Sequence, residues 1–223
     1  MNEKKIFETI NSIPALLAKN FQKFAKKPAM ILDGGKTISY NDMRWDIFKT
    51  SSVLRFFSGS APKCVAIFID NSPQAVESVY SVLAIGAKAV LLRYSMTKEE
   101  IESALQNESP DAIFIRAQKM DLLPQNLSAS VLEIADNRVL KTLGKEAHEK
   151  RVQKAIDNSK SQERVLAVTY SNGSKKSELT RSDFAAMISK KGKKSEKPFD
   201  ALIEYVGSLL NAFVKGRAVQ ASL

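Results

Sequence analysis

Apolar positions along the chain switch repeatedly between helical spacing and short continuous runs, and the switching predicts the elements. Leu16, Leu17, Phe21 and Phe24 share one helical face within residues 13–27, closed by Pro28. Residues 29–33 and 37–39 read as two short strands joined at Gly34-Gly35, a hairpin. Asn41 or Asp42 caps the next helix, with Met43, Ile47, Val53 and Leu54 among its apolar positions. The run over 63–69 is almost wholly apolar, the pattern of a strand covered on both faces. Asp70-Asn-Ser-Pro73 supplies a turn and a helix start, and that helix runs to Ile85 and stops at Gly86. A strand over 88–92 follows, and then a helix opened by the capping-box spacing of Thr97 and Glu100.

Further strands are predicted over 111–115, 130–134 and 164–170, with a long polar helix over 137–160. Helices beginning at Ser182 and Phe199 and a strand-like stretch over 218–223 complete the chain. Alternation of this kind predicts an α/β fold, a layered and largely parallel sheet flanked by helices. No internal repeat interrupts it, and residues 1–223 read as a single α/β domain carrying one basic loop at 189–197.

Composition narrows the setting. Apolar residues make up 44% and charged residues 26% of the 223, the balance of a chain that folds around a core. No apolar stretch reaches the ~18–20 residues of a membrane span, and the N-terminus has no secretory h-region or cleavage site. One cysteine, Cys64, excludes an internal disulfide framework, and one histidine, His148, excludes a His-rich metal cluster. A reducing, cytoplasmic location is the expectation. The net charge of +10 favours anionic partners in general. Half of it comes from residue 161 onward, where 11 basic residues face 6 acidic ones, densest at 189–197. Such a run is first of all a solvated loop.

Candidate chemistry is sparse. Cys64 opens an apolar strand with no histidine near it in sequence and reads as a packed thiol. His148, flanked by Glu146, Glu149 and Lys150, has no serine elbow or second histidine to work with and reads as a surface residue. Phe21, Phe24, Phe56, Phe57 and Phe68 sit at core spacings, and Trp45 is read as packing. Walker, Rossmann, EF-hand and metalloprotease motifs are absent. The stretch Tyr170-Ser-Asn-Gly-Ser-Lys-Lys-Ser-Glu-Leu179 reads either as a phosphate site or as a basic turn between strand and helix, with the turn favoured.

Four segments in order carry a family resemblance. Lys27-Pro-Ala-Met-Ile31 resembles a "P-x-x-A-l" element, and Thr37-Ile-Ser-Tyr-Asn-Asp-Met43 resembles "T-y-x-E-L". Val65-Ala-Ile-Phe-Ile-Asp-Asn-Ser-Pro73 resembles "V-a-i-l-l-p-N-s-p", and Leu83-Ala-Ile-Gly-Ala-Lys-Ala-Val-Leu-Leu92 resembles "l-k-a-G-a-v-y-v-P-L". Together they are similar to the N-terminal part of the adenylate-forming superfamily: acyl-CoA synthetases, adenylation domains of peptide synthetases, and luciferases. The resemblance spans residues 13–223 and is weakest between Arg116 and Arg164.

The resemblance implies a phosphate-binding loop of the pattern Y-T-S-G-T-T-G-x-P-K-G after the 164–170 strand. Tyr170, Ser171, Gly173 and Ser174 match it, Lys176 stands at the second glycine, and the Pro-Lys-Gly end is absent. If Leu179-Thr180 corresponds to the Leu-Thr that follows this loop, about four residues are missing. Ser171, Gly173, Ser174, Lys175 and Lys176 are therefore expected to form a vestigial phosphate loop. Lysine resists the close backbone approach that glycine permits, although Lys175 and Lys176 add charge. The aromatic-Gly-x-Thr-Glu segment, the ribose-binding aspartate and the C-terminal lysine of the family have no counterpart in the sequence.

Three functional readings follow, in this order. The first is a truncated or degenerate acyl-CoA synthetase-like domain without independent catalysis, a scaffold for a second polypeptide or for its own copy, or half of a split ligase. The second is a piece of an active ligase that uses ATP and Mg²⁺ to form an acyl-adenylate. The third, independent of the resemblance, is a binder of nucleic acid or an anionic surface through Lys190, Lys191, Lys193, Lys194 and Lys197.

Overall fold

A computed structural model describes residues 13–57, 62–134, 165–171, 174–189 and 201–221. The helix expected over 137–160 with His148, and the lysines of the basic run, lie outside the described residues.

Local signals start and stop most elements as expected. Helix α1 (Ile13–Lys23) buries Leu16, Leu17 and Phe21. Strands β1 (Pro28–Ile31) and β2 (Thr37–Ser39) form the expected antiparallel hairpin, and helix α2 (Tyr40–Phe57) follows without a break, capped not by Asn41 or Asp42, which lie inside it, but by Ser39, whose hydroxyl accepts the Asp42 N–H at 3.1 Å. On α2, Trp45 meets Phe48 edge-on at 5.8 Å, the packing role expected of it. Strand β3 (Cys64–Ile69) leads to helix α3 (Pro73–Ala84), whose N-cap Ser72 accepts the Ala75 N–H at 3.2 Å. After α3 the chain turns at Gly86, whose φ of +76° lies in the left-handed region that favours glycine. Strand β4 (Lys88–Arg93) precedes helix α4 (Lys98–Glu108), opened by a full capping box between Thr97 and Glu100.

Strands β5 (Ala112–Ile115), β6 (Ser130–Glu133), β7 (Val165–Ser171) and β8 (Ser174–Thr180) complete a six-stranded sheet in the order β6-β5-β3-β4-β7-β8. The first five in that order are mutually parallel, and only β8 runs antiparallel. The chain steps one way from β3 to β4 and the other way from β4 to β5. Right-handed crossovers then place α3 and α4 on opposite faces. Side-chain alternation serves both layers: Val65, Ile67, Ala89 and Leu91 pack with Val76 and Val79 of α3, whereas Ala66, Phe68, Val90 and Leu92 pack with Ile101, Ala104 and Leu105 of α4.

Helices α5 (Arg181–Ser189) and α6 (Ala201–Lys215) return the chain to the α3 side, where α6 buries Ile203, Val206, Leu209, Leu210 and Phe213. Phe213 stands among Phe21, Tyr40 and Tyr80 with ring centroids 4.8 to 5.3 Å away. Tyr80 donates its hydroxyl to the Leu209 carbonyl (2.8 Å) and Tyr40 to that of Arg217 (3.0 Å), so these buried polar tips are satisfied by α6 and the turn after it. The final strand-like stretch forms β9 (Val219–Gln220), which joins β1 in a separate three-stranded sheet rather than extending the large one.

One expectation is corrected. The segment after β7 is not a turn from strand to helix but the start of β8, which folds back on β7 with Ser171 opposite Ser174 and Val165 opposite Thr180. Its residues are mostly polar, and Leu179 alone among its described side chains is buried. The open edge of β7, more than hydrophobic alternation, recruits it.

Candidate functional site

In an open parallel sheet, ligand chemistry collects at the carboxyl ends of the strands, near the point where the strand order reverses. Here β3 and β5 end there on Ile69 and Ile115 and deliver Asp70 and Arg116 side by side. Arg116 Nε lies 2.7 Å from Asp70 Oδ2. The other oxygen of Asp70 accepts from the Ser72 N–H at 2.9 Å and from its hydroxyl. The carboxylate thus ties the Asp-Asn-Ser-Pro turn to the N-terminus of α3, and Arg116 closes the cluster by donating its backbone N–H to the Tyr94 hydroxyl at 3.1 Å. Burial by itself would raise the Asp70 carboxyl, but hydrogen bonds from Arg116 and Ser72 outweigh it and hold the group below its ordinary 3.8. Tyr205 of α6 also feels the Asp70 charge. Its buried hydroxyl has no hydrogen-bond partner among the described residues, and burial first, then that charge, pushes it up to about 12.

The residues expected to form a phosphate loop lie on the β7–β8 hairpin at the same end of the sheet. Tyr170 pairs with Lys175 and Ser171 with Ser174, so two residues, Asn172 and Gly173, separate the paired serines. Gly173 and the side chains of Ser171 and Lys176 lie outside the described part of the structure, while Ser174 and Lys175 are exposed. The Lys175 ammonium sits 2.6 Å from Glu178 and 3.4 Å from Glu108. A phosphate cradle needs several backbone N–H groups turned toward one anion. Strands zipped to within two residues of the turn direct theirs along the ladder instead. The signal in the sequence was the Asn-Gly dipeptide, which marks two-residue hairpins.

Glu108, the last residue of α4, carries no signal in the sequence, yet it ties Lys88, at the amino end of β4, to Tyr170 and Lys175 of the β7–β8 hairpin. Its side chain is 4% exposed. One oxygen meets the Lys88 ammonium; the other accepts the Tyr170 hydroxyl at 2.5 Å and faces Lys175. Burial opposes its charge, but the hydrogen bonds of Lys88 and Tyr170 and the charges of Lys88 and Lys175 prevail and hold it below its ordinary 4.5. Burial and then the Glu108 bond drive the Tyr170 hydroxyl far above 10.0, so it remains a donor at neutral pH. Cys64, nearby, is 7% exposed, and burial pushes its thiol up to about 11, consistent with a packed rather than nucleophilic sulfur.

A pH dependence follows from the two depressed carboxyls. As pH falls, the unfolded chain takes up protons at the ordinary values while the folded chain does not. Stability is therefore complete above about pH 5 and is lost as pH falls below 4.5 and through the lower folded values. Urea unfolding between pH 7 and 3 should show this acid limb, and Asp70→Asn and Glu108→Gln should each flatten it. An unchanged limb in both variants would refute the assignment.

Elsewhere, a cleft of about 510 Å³ between α4 and residues 124–129 brings together no residue singled out in the sequence. Its one carboxylate, Glu102, accepts the Gln106 side-chain amide at 3.2 Å. Among the described residues no group of three or more His, Cys, Asp or Glu side chains is placed to hold a metal, and no helix is long and apolar enough to cross a membrane.

The same architecture occurs in solved structures. A fatty acyl CoA synthetase of Mycobacterium tuberculosis superposes with a TM-score of 0.68 at 13% identity, over 96% of this chain and 45% of that one. The luciferase-like enzyme of the nonluminescent mealworm Zophobas morio gives 0.65 at 14% identity, over 95% and 54%. The nonribosomal peptide synthetase FmoA3 gives 0.69 at 13% identity, over 94% and 22%. The chain thus spans about half the length of the first two and less of the third. No curated protein matches the sequence. At such identities these likenesses establish the fold. The lineage rests on the sequence itself, because the family model described as AMP-binding enzyme matches residues 17–189. That match takes in both the Asp70–Arg116 cluster and the hairpin, and with it the chain belongs to the AMP-binding enzyme family of adenylate-forming proteins.

Proposed function

We propose that this chain is an acyl-CoA synthetase-like adenylate-forming domain that does not carry out adenylation alone. It serves as a scaffold whose partner is a second polypeptide supplying the remaining site, as in a split ligase, or a second copy of itself. The observation that supports this reading is the pairing of Ser171 with Ser174, which leaves two residues where the family pattern has a long glycine-rich loop. Lysine at 176 in place of glycine points the same way, as does the engagement of Lys175 by two carboxylates.

A thermal-shift titration with ATP and Mg²⁺ tests it directly. A ligand at 100 times its dissociation constant stabilises the folded state by about 2.7 kcal/mol, which in a domain of this size raises Tm by about 5–10 °C. No rise is expected at millimolar nucleotide, and carboxylate-dependent ATP–pyrophosphate exchange should stay at background. Exchange that appears only when a second polypeptide is added supports the split arrangement.

The second reading, a portion of an active ligase that joins a carboxylate to AMP with release of pyrophosphate, draws on the family match over 17–189. Exchange by the chain alone would replace the first reading with this one.

A further inference from the structure

We propose that the outward face of α1 and the turn after it dock on a lipid leaflet rich in anionic phospholipid. This surface is separate from the hairpin and from the proposed function, so neither reading fails with the other.

Helix α1 turns Leu16, Leu17, Asn20 and Phe21 into the core. The exposed positions over its last turns and the turn at 24–27 are Lys19, Gln22, Lys23, Lys26 and Lys27. Their spacing sets them along one side of the helix and its continuation. The turn is fixed to the rest of the domain, because the Lys27 and Ala25 carbonyls accept the Tyr40 and Asn41 N–H groups at 2.9 and 3.0 Å. Two more cations join from the end of α6. The Phe24 ring lies against Gly216, and the exposed residues on either side of that glycine are Lys215 and Arg217. The ammoniums of Lys23 and Lys27 stand 5.0 Å from the centroid of the same ring.

Among the described residues, none of Lys19, Lys23, Lys26, Lys27, Lys215 and Arg217 is in an ion pair. Asp42 and Asp46 of α2 are engaged elsewhere: Asp42 accepts the Ser39 hydroxyl at 2.6 Å, and Asp46 holds Lys49 at 2.9 Å. Folding alone does not ask for such a face. Any polar residue satisfies the wet side of an amphipathic helix, and the helix dipole accounts only for Lys23 in the last turn. Lys19 with Lys23, and Lys23 with Lys27, are like charges four residues apart, a spacing that costs a helix stability. The result is an uncompensated positive field on a fixed surface, the complement of an anionic one.

The chemistry favours a leaflet over a nucleic acid. All of these cations but Arg217 are lysines, compact hydrated point charges without the fork that grips individual phosphates. The ring they surround, Phe24, is 8% exposed and has two ammoniums over it, so it offers no stacking face to a base. Mobile headgroups redistribute to meet fixed cations, and a basic cluster of this size on an amphipathic helix suits phosphatidylserine-type lipids. A second copy of the chain, itself at +10, is repelled from this face.

Sedimentation of the full chain with vesicles tests the inference. Phosphatidylcholine vesicles containing about a third phosphatidylserine should bind it at low salt and release it at high salt, and phosphatidylcholine alone should not bind it. Each lysine that reaches the leaflet is worth about fivefold, so Lys19→Gln/Lys23→Gln/Lys26→Gln/Lys27→Gln should weaken binding about a hundredfold or more. Glutamine matches lysine in helix propensity, and circular dichroism checks that the fold is kept. Should that variant lose its fold, Lys215→Gln/Arg217→Gln decides, with a loss of about tenfold expected. Taking the same charge from the basic run, as Lys190→Gln/Lys191→Gln/Lys193→Gln/Lys194→Gln, should cost less than the α1 variant. An equal or larger loss there overturns the inference, as does wild-type binding that ignores phosphatidylserine, or full binding by a folded α1 variant. Tighter binding to an oligonucleotide at matched phosphate, weakened by the same α1 substitutions, would overturn it by assigning the face to nucleic acid.

Discussion

Phe213→Ala is expected to destabilise the fold by about 3–5 kcal/mol, the range for deleting a fully buried aromatic ring. Phe213 is 1% exposed and makes edge contacts with Phe21 at 4.8 Å and Tyr40 at 5.2 Å, and a tilted contact with Tyr80 at 5.3 Å. Its own carbonyl accepts the Asn20 side-chain amide at 3.2 Å. Four elements, α1, α2, α3 and α6, therefore meet at one ring, and a cavity there has little room to collapse because the neighbouring tyrosines are pinned by their hydroxyls. Thermal unfolding should show a Tm lowered by about 10 °C, and Phe213→Leu should recover most of it. A loss below about 1 kcal/mol would mean that α6 is not a structural part of this core.

Gly216→Ala should cost about 2–4 kcal/mol, through two separable effects. Gly216 ends α6 with φ +62°, and the Gly216 and Arg217 N–H groups bond back to the Phe213 and Ala212 carbonyls, the two bonds of a Schellman cap. A β-carbon here would also lie 2.7 Å from two atoms of the Phe24 ring. That ring is not free to swing away: it packs on Tyr40 at 5.8 Å, and the ammoniums of Lys23 and Lys27 stand 5.0 Å from its centroid. Urea unfolding of Gly216→Ala and of Gly216→Ala/Phe24→Leu separates the effects. The double variant, compared with Phe24→Leu alone, should retain only the backbone penalty of about 1–2 kcal/mol. An equal penalty in both backgrounds would show that the ring contact contributes nothing.

The two positions differ in how far sequence announces them. A glycine after an amphipathic helix is a recognisable stop, but nothing in the neighbouring residues says that a ring nearly two hundred positions earlier closes over it. Glu108 is the stronger case. A glutamate between asparagine and Ser109-Pro110 at a helix end looks like solvent-facing residue choice, and its partners Lys88, Tyr170 and Lys175 are spread over three strands. Pattern reading sees only neighbours along the chain, so a buried charge satisfied by distant groups leaves no trace in it.

The hairpin shows the limit from the other side. The family resemblance places its phosphate-loop chemistry at Tyr170 to Thr180, and Asn172-Gly173 carries the hairpin signal, but the polar run Ser174–Thr180 has no alternation to identify it as a strand. Its pairing depends on the unfilled edge of β7.

What the amino-acid order determined by itself is the succession of strands and helices up to β7, and the two-faced character of β3, β4, β5 and β7. Those follow from local caps, glycine stops and runs apolar on both sides. Which face each helix covers, where β9 joins, how β8 closes the edge, and which cations Glu108 neutralises were decided only in three dimensions. Each of these depends on groups that meet after the sheet has brought distant strands within a few ångströms of one another.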